Sequence, residues 1–181
     1  CCPGVKPGAS SKQLEQCCDN NVTTPLFREM IVRWYQMGAF HPIFRSHGHR
    51  QSGPGNFADG NGASSTNEYY NFGADAAGAI RRVMMVRESL RPYISAQFKL
   101  TESKGIPIAR PLVFDFPEDE QARKTCGLEE DCAAETQQMF GPELMIAPQL
   151  HLGGTSRQVY LPKLPTGRVW QNYFTNASLG S

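Results

Sequence analysis

The hydrophobic period changes once along this chain, at Gly105, and that change limits the fold more than any other feature. Before Gly105 the apolar residues recur at helical spacing; after it they come in short strand-like runs. Phe27, Met30, Ile31, Trp34 and Met37 make one apolar face, with Thr24 as N-cap, Pro25 at the first helical position and Gly38 as C-cap. Phe40 to Arg45 is a short apolar run bounded by polar residues, as a buried strand would be. Asp75 is placed to cap a second helix, whose buried face is Ile80, Val83, Met84, Leu90 and Ile94. Pro92 should kink or split it, because proline removes a backbone donor and clashes with the preceding turn. Helical character resumes to about Lys104, where Gly105 ends it. Four runs then read as strands: 109–116, 143–150, 157–162 and 168–174. The expected fold class is therefore α/β followed by all-β.

Composition narrows the partners. Forty per cent of the 181 residues are hydrophobic, enough to fill a core. The net charge is +1, so no basic excess exists to neutralise phosphates, and nucleic acid is not an expected partner. No apolar run approaches the roughly 20 residues that span a bilayer, so no membrane partner is expected. The chain opens with Cys1, Cys2 and Pro3 and lacks an initiator Met, so its natural start is expected to lie upstream. Residues 1–22 read as an irregular lead-in. The six cysteines permit disulfides, while adjacent pairs and the Cys126/Cys132 spacing do not match zinc patterns. Asn21-Val22-Thr23 and Asn176-Ala177-Ser178 are glycosylation sequons, which lean weakly toward secretion.

The candidate site is RWYQMGAFHPIFRSH, residues 33–47. Arg45 and His47 stand two apart at the end of an apolar run. In extended backbone such residues point the same way, and the segment meets a Gly-, Ser- and Asn-rich loop at 47–68. By itself the pattern also fits Arg45 paired with a carboxylate and His47 capping a carbonyl. His41 with His47 or His49 offers metal ligands, but without a Cys or carboxylate at fixed spacing. Trp34, Tyr35 and Phe40 could stack on a ligand, although Trp34 at helical spacing is more often core. Glu68, Tyr69, Tyr70 and Phe72 either line a sugar site or anchor the loop. Asp115, Glu118, Asp119 and Glu120 flank Pro117 as solvated turn residues. They do not offer the carboxylate pair, about 5–5.5 Å apart, of a retaining glycosidase.

Several blocks carry a resemblance. FREMIVRWYQMGAFHPIFRSHGHR (27–50) resembles the late-barrel segment of family 31 glycoside hydrolases, the α-glucosidases and α-xylosidases. NEYYNFG (67–73) resembles the motif that follows. LRPYISAQFKLTESKGIPIARPLVFDFPED (90–119) resembles the last barrel helix running into the next domain. QQMFGPELMIAPQL (137–150) and SRQVYLP (156–162) are similar to the first C-terminal β-domain.

The resemblance implies the last part of a (β/α)8 TIM barrel over 23–106, then part of an antiparallel β-sandwich over 107–181. It implies a retaining α-glycosidase acting on terminal α-glucosidic or α-xylosidic bonds, with an α-linked oligosaccharide or glycoside as partner. It implies no cofactor, since this hydrolysis needs only carboxylates and water. The residue matched by His47 hydrogen-bonds sugar hydroxyls in the −1 subsite, and Arg45 matches a recurrent arginine that shapes it. The family's nucleophilic and acid/base Asp lie on earlier barrel strands, and neither block occurs in this sequence. The chain alone is therefore expected to be inactive. The alternatives are a non-catalytic carbohydrate-binding module, or a truncated chain that does not fold alone.

Overall fold

A computed structural model of the chain describes residues 25–47, 67–126 and 132–180. The lead-in 1–22, the Thr24 cap, most of the 47–68 loop with His49 and Arg50, and the Asn21 sequon lie outside these residues, as do Cys1, Cys2, Cys17 and Cys18. The described chain forms two compact units. The first holds the residues through Ala109 together with Pro148–Ser156; the second holds Arg110–Ala147 and Arg157 onward.

The first unit is helical. Helix α1 spans Pro25–Gly38, a 3-10 turn spans Tyr69–Phe72, and helices α2 and α3 span Ala74–Ser89 and Arg91–Lys104. Its core is Phe27, Phe72, Ala76 and Ile80, with Ile31, Val32 and Tyr35 packed against it. Phe27, Ile31 and Tyr35 follow one another at four-residue intervals and make one stripe along α1. Tyr35 meets Phe72 and Phe44 edge-on, at 6.3 and 5.8 Å between ring centroids. Trp34, read as a core residue, is 56% exposed. At that end of the helix the space in front of its ring is cavity, not packed side chain.

Pro92 does split the second helical pattern. Leu90 separates α2 from α3, and Pro92 sits at the start of α3, where a missing N–H costs nothing. Ile80, Leu90 and Ile94 are buried as expected, while Met84 is exposed. Gly105 ends α3 in the left-handed region at φ 69°, its N–H returning to Thr101 O at 2.9 Å. Two cap assignments are corrected. Asp75 lies inside the first turn of α2, and the cap position is Gly73 at φ 87°. Gly38 is not in the left-handed region; α1 ends through tight turns from Phe40 N to Met37 O and His41 N to Gly38 O, both 3.0 Å. A Cβ at Gly38 would stand 3.3 Å from Phe44 Cδ2, a tighter contact than most side chains make.

Residues 40–45 form no strand, contrary to their apolar pattern, and Ile43 is 80% exposed. The reason is where the carbonyls go. The Arg87 guanidinium donates to the carbonyls of Ala39 (2.6 Å), His41 (2.7 Å) and Pro42 (3.1 Å), the places a neighbouring strand would fill.

The second unit is a three-stranded sheet in the order β1 (Ala109–Pro111), β2 (Gln138–Phe140), β3 (Leu144–Ile146), with a separate hairpin β4 (Trp170–Gln171) and β5 (Ser178–Gly180). β2 and β3 are antiparallel, with Met139 opposite Met145. Three single helical turns, α4 (Leu112–Asp115), α5 (Glu120–Arg123) and α6 (Ala133–Thr136), accompany them among the described residues. Leu112, Ala122, Ala133 and Met139 are its core.

The run 109–116, strand-like throughout in sequence, turns helical at Leu112. The run 157–162 pairs with no strand. Buried Gln137 takes the neighbour's place: Tyr160 N donates to its Oε1, and its Nε2 donates to Tyr160 O, both at 2.8 Å. The two short strands at 138–140 and 178–180 fall outside the four expected runs. Cys126 and Cys132 are joined in a disulfide.

Candidate functional site

Arg45 and His47 line one cavity of about 380 Å³ in the first unit, with Trp34, Tyr35, Phe44, Ser46 and Asn67 among its walls. Both side chains are exposed at its mouth. The segment that carries them is fastened at each end. At its start Arg87 gathers the three carbonyls and lies over the Phe44 ring, 5.5 Å from the centroid. Burial pushes the Arg87 pKa below the ordinary guanidinium value. At its end Asn67 donates through Nδ2 to His47 O (3.2 Å), while the Asn67 carbonyl accepts from Ser46 Oγ (2.7 Å) and Tyr35 Oη (3.3 Å). Asn67 thus ties the chain before the loop to the chain after it, and both to α1.

Sequence reasoning passed over Arg87 and Asn67. The signal for Asn67 was its place at the far edge of the loop. Arg87 gave none, because a basic residue in a last helical turn is also what the helix dipole favours.

The other candidates separate by role. His41 Nδ1 lies 3.0 Å from Met37 O; only a protonated ring nitrogen can donate there, so that nitrogen is engaged with the helix end. Phe72 is buried core and also lines the cavity, Tyr69 packs against that core, and Tyr70 is exposed.

Two carboxylates read as solvated are structural. Asp115 takes a two-pronged bond from Arg110, Nε to Oδ2 at 2.6 Å and Nη2 to Oδ1 at 2.7 Å, and the Arg110 side chain is only 4% exposed. Asp119 caps α5 through Ala122 N (3.0 Å) and accepts the Tyr160 hydroxyl at 2.8 Å. Glu118 and Glu120 are exposed as expected.

Chemically, the cavity offers guanidinium donors, an imidazole that both donates and accepts, and an indole face. Among the described residues no carboxylate lines it.

Residues 20–97 match the model of the glycosyl hydrolases family 31 TIM-barrel domain, and residues 105–181 match that of the glycosyl hydrolase family 31 C-terminal domain. The chain belongs to glycosyl hydrolase family 31. Lysosomal α-glucosidase of Rattus norvegicus is 34% identical over 144 residues, covering 80% of this chain and 12% of that protein. α-Xylosidase A of Aspergillus niger is 30% identical over 158 residues, 86% of this chain and 21% of that protein. Among solved structures, the family 31 α-xylosidase from a soil metagenome, complexed with xylose, superposes with a TM-score of 0.70. It is 34% identical, over 87% of this chain and 22% of that one. The xylosidase from Aspergillus niger gives 0.73 at 29% identity, over 88% and 22%. The chain therefore spans about an eighth to a fifth of the length of these family 31 relatives.

Proposed function

We propose that the cavity at Arg45 and His47 is one wall of the −1 sugar subsite of a retaining α-glycosidase, acting on terminal α-glucosidic or α-xylosidic bonds. On this reading 23–106 is the late part of the (β/α)8 barrel and 107–181 part of the β-sandwich that follows. The observation that carries it is the convergence of Arg45 and His47 on one cavity beside Trp34, on a backbone held at both ends. Sugars bind through hydroxyl hydrogen bonds and apolar ring faces, and this surface offers partners for both.

His47 then hydrogen-bonds ring hydroxyls as positive charge develops at the anomeric carbon, bonds that strengthen in the transition state. Arg45 shapes the same wall. The two carboxylates of the retaining mechanism, nucleophile and acid/base, belong to other barrel strands, so these residues bind the sugar without cleaving the bond.

Two measurements test this together. Calorimetric titration of the purified chain with maltose and xylose oligomers should show weak, millimolar binding that His47→Ala abolishes, about −4 kcal/mol at a 1 mM Kd. Incubation with p-nitrophenyl α-glucoside or α-xyloside should show no turnover. Binding that survives His47→Ala, or turnover by the chain, would contradict the assignment.

A further inference from the structure

We propose that Asn176 carries an N-linked glycan whose first N-acetylglucosamine rests on the ring of Phe174. Asn176, Ala177 and Ser178 form an acceptor tripeptide with no proline at its centre. The structure places it in the turn that joins β4 to β5. Asn172 and Ala177 close this turn (N to O, 2.9 Å), and Asn176 N returns to Asn172 O at 2.8 Å. Asn172 Oδ1 accepts from Phe174 N (2.9 Å) and Thr175 N (3.0 Å), which fixes the turn from within.

Asn176 sits at φ 57°, the left-handed region that asparagine tolerates better than most residues. It engages the turn through its backbone, and its side chain is exposed. Ser178, whose hydroxyl the transferring enzyme requires, pairs with Gln171 in the hairpin.

Two further observations point to a sugar. Phe174, two residues before the acceptor in the same turn, is 73% exposed, and Tyr173 stands edge-on to it at 5.2 Å. Two aromatic rings on one short turn present an apolar face to water, and the C–H face of an N-acetylglucosamine is the kind of surface that covers it. Second, the Cys126–Cys132 disulfide of the same unit is the kind of bond that forms and persists in oxidising compartments, and the secretory route that provides one also provides N-glycosylation.

The transfer takes its sugar from a lipid-diphosphate-linked oligosaccharide. Asn176 Nδ2 bonds to the anomeric carbon and loses a proton. The bond from that carbon to the diphosphate oxygen breaks, and the lipid diphosphate leaves with the electron pair.

The test is expression of the full chain behind a cleavable secretory leader in N-glycosylating eukaryotic cells. Secreted and retained chains are both treated with an N-glycan amidase in heavy-oxygen water and mapped by peptide mass. We expect labelled Asp at position 176, its loss in Ser178→Ala, and a lower occupied fraction in Phe174→Ala with unchanged Trp170 fluorescence. An unmodified Asn176 in wild-type chain recovered from the glycosylating compartment overturns the site. Equal occupancy in Phe174→Ala overturns the aromatic contact.

Discussion

At the scale of single residues, two side chains, Arg87 and Gln137, do work that strand hydrogen bonds would otherwise do. Arg87 collects three carbonyls and so lets an apolar segment lie at the surface without a partner strand. Hydrogen bonds to a charged donor contribute about 1.5–3 kcal/mol each and are not additive. Arg87→Ala is therefore expected to cost about 3 kcal/mol in chemical denaturation. Arg87→Lys should recover only part of it, since an ammonium lacks the planar fork. An unchanged midpoint for Arg87→Ala would show that the carbonyls find water equally well.

Tyr160 gives a prediction with a pH sign. Burial first, and then its bond to Asp119, raise its pKa above the ordinary 10.0. The native state then holds the phenolic proton more tightly than the unfolded chain. Its stabilisation is present in full below pH 10 and is lost as pH climbs through the raised value. Tyr160→Phe should flatten the alkaline loss of stability above about pH 10, measured by urea unfolding across pH. A slope equal to wild type would contradict it.

At the scale of elements, the helices were legible in the sequence and most strands were not. Helix α3 was readable because Pro92 and Gly105 mark its ends by covalent geometry, which no tertiary context changes. Gly105→Ala should cost about 1 kcal/mol through backbone strain alone, because nothing lies within 4 Å of a Cβ there. Thermal unfolding checks this, and no loss of stability would mean that α3 ends elsewhere in solution. The segments 40–45 and 157–162 misled for one shared reason. Both are short apolar runs of strand length, but Arg87 and Gln137 satisfy their backbones, and neither partner is visible from local pattern. Trp34 misled because periodicity reports which face a residue occupies, and says nothing of whether that face meets a neighbour or a cavity. At the candidate site the sequence showed Arg45 and His47. It could not show Asn67, whose part depends on two ends of a loop meeting.

At the scale of the molecule, the 181 residues share family 31 membership across both the barrel-type and the C-terminal portions. The family's relatives are far longer, and the cavity here is lined, among the described residues, by hydrogen-bonding and aromatic groups. On the function proposed above, the groups that bind the sugar lie in the first unit. The most direct test is an amide and imidazole NMR titration of the isotope-labelled chain with xylose and with glucose. Saturable shifts are expected at His47, Ser46 and Asn67 and at the Trp34 indole, with none at Trp170. Shifts absent from His47 and Asn67 at saturating sugar, or centred on the second unit, would contradict it.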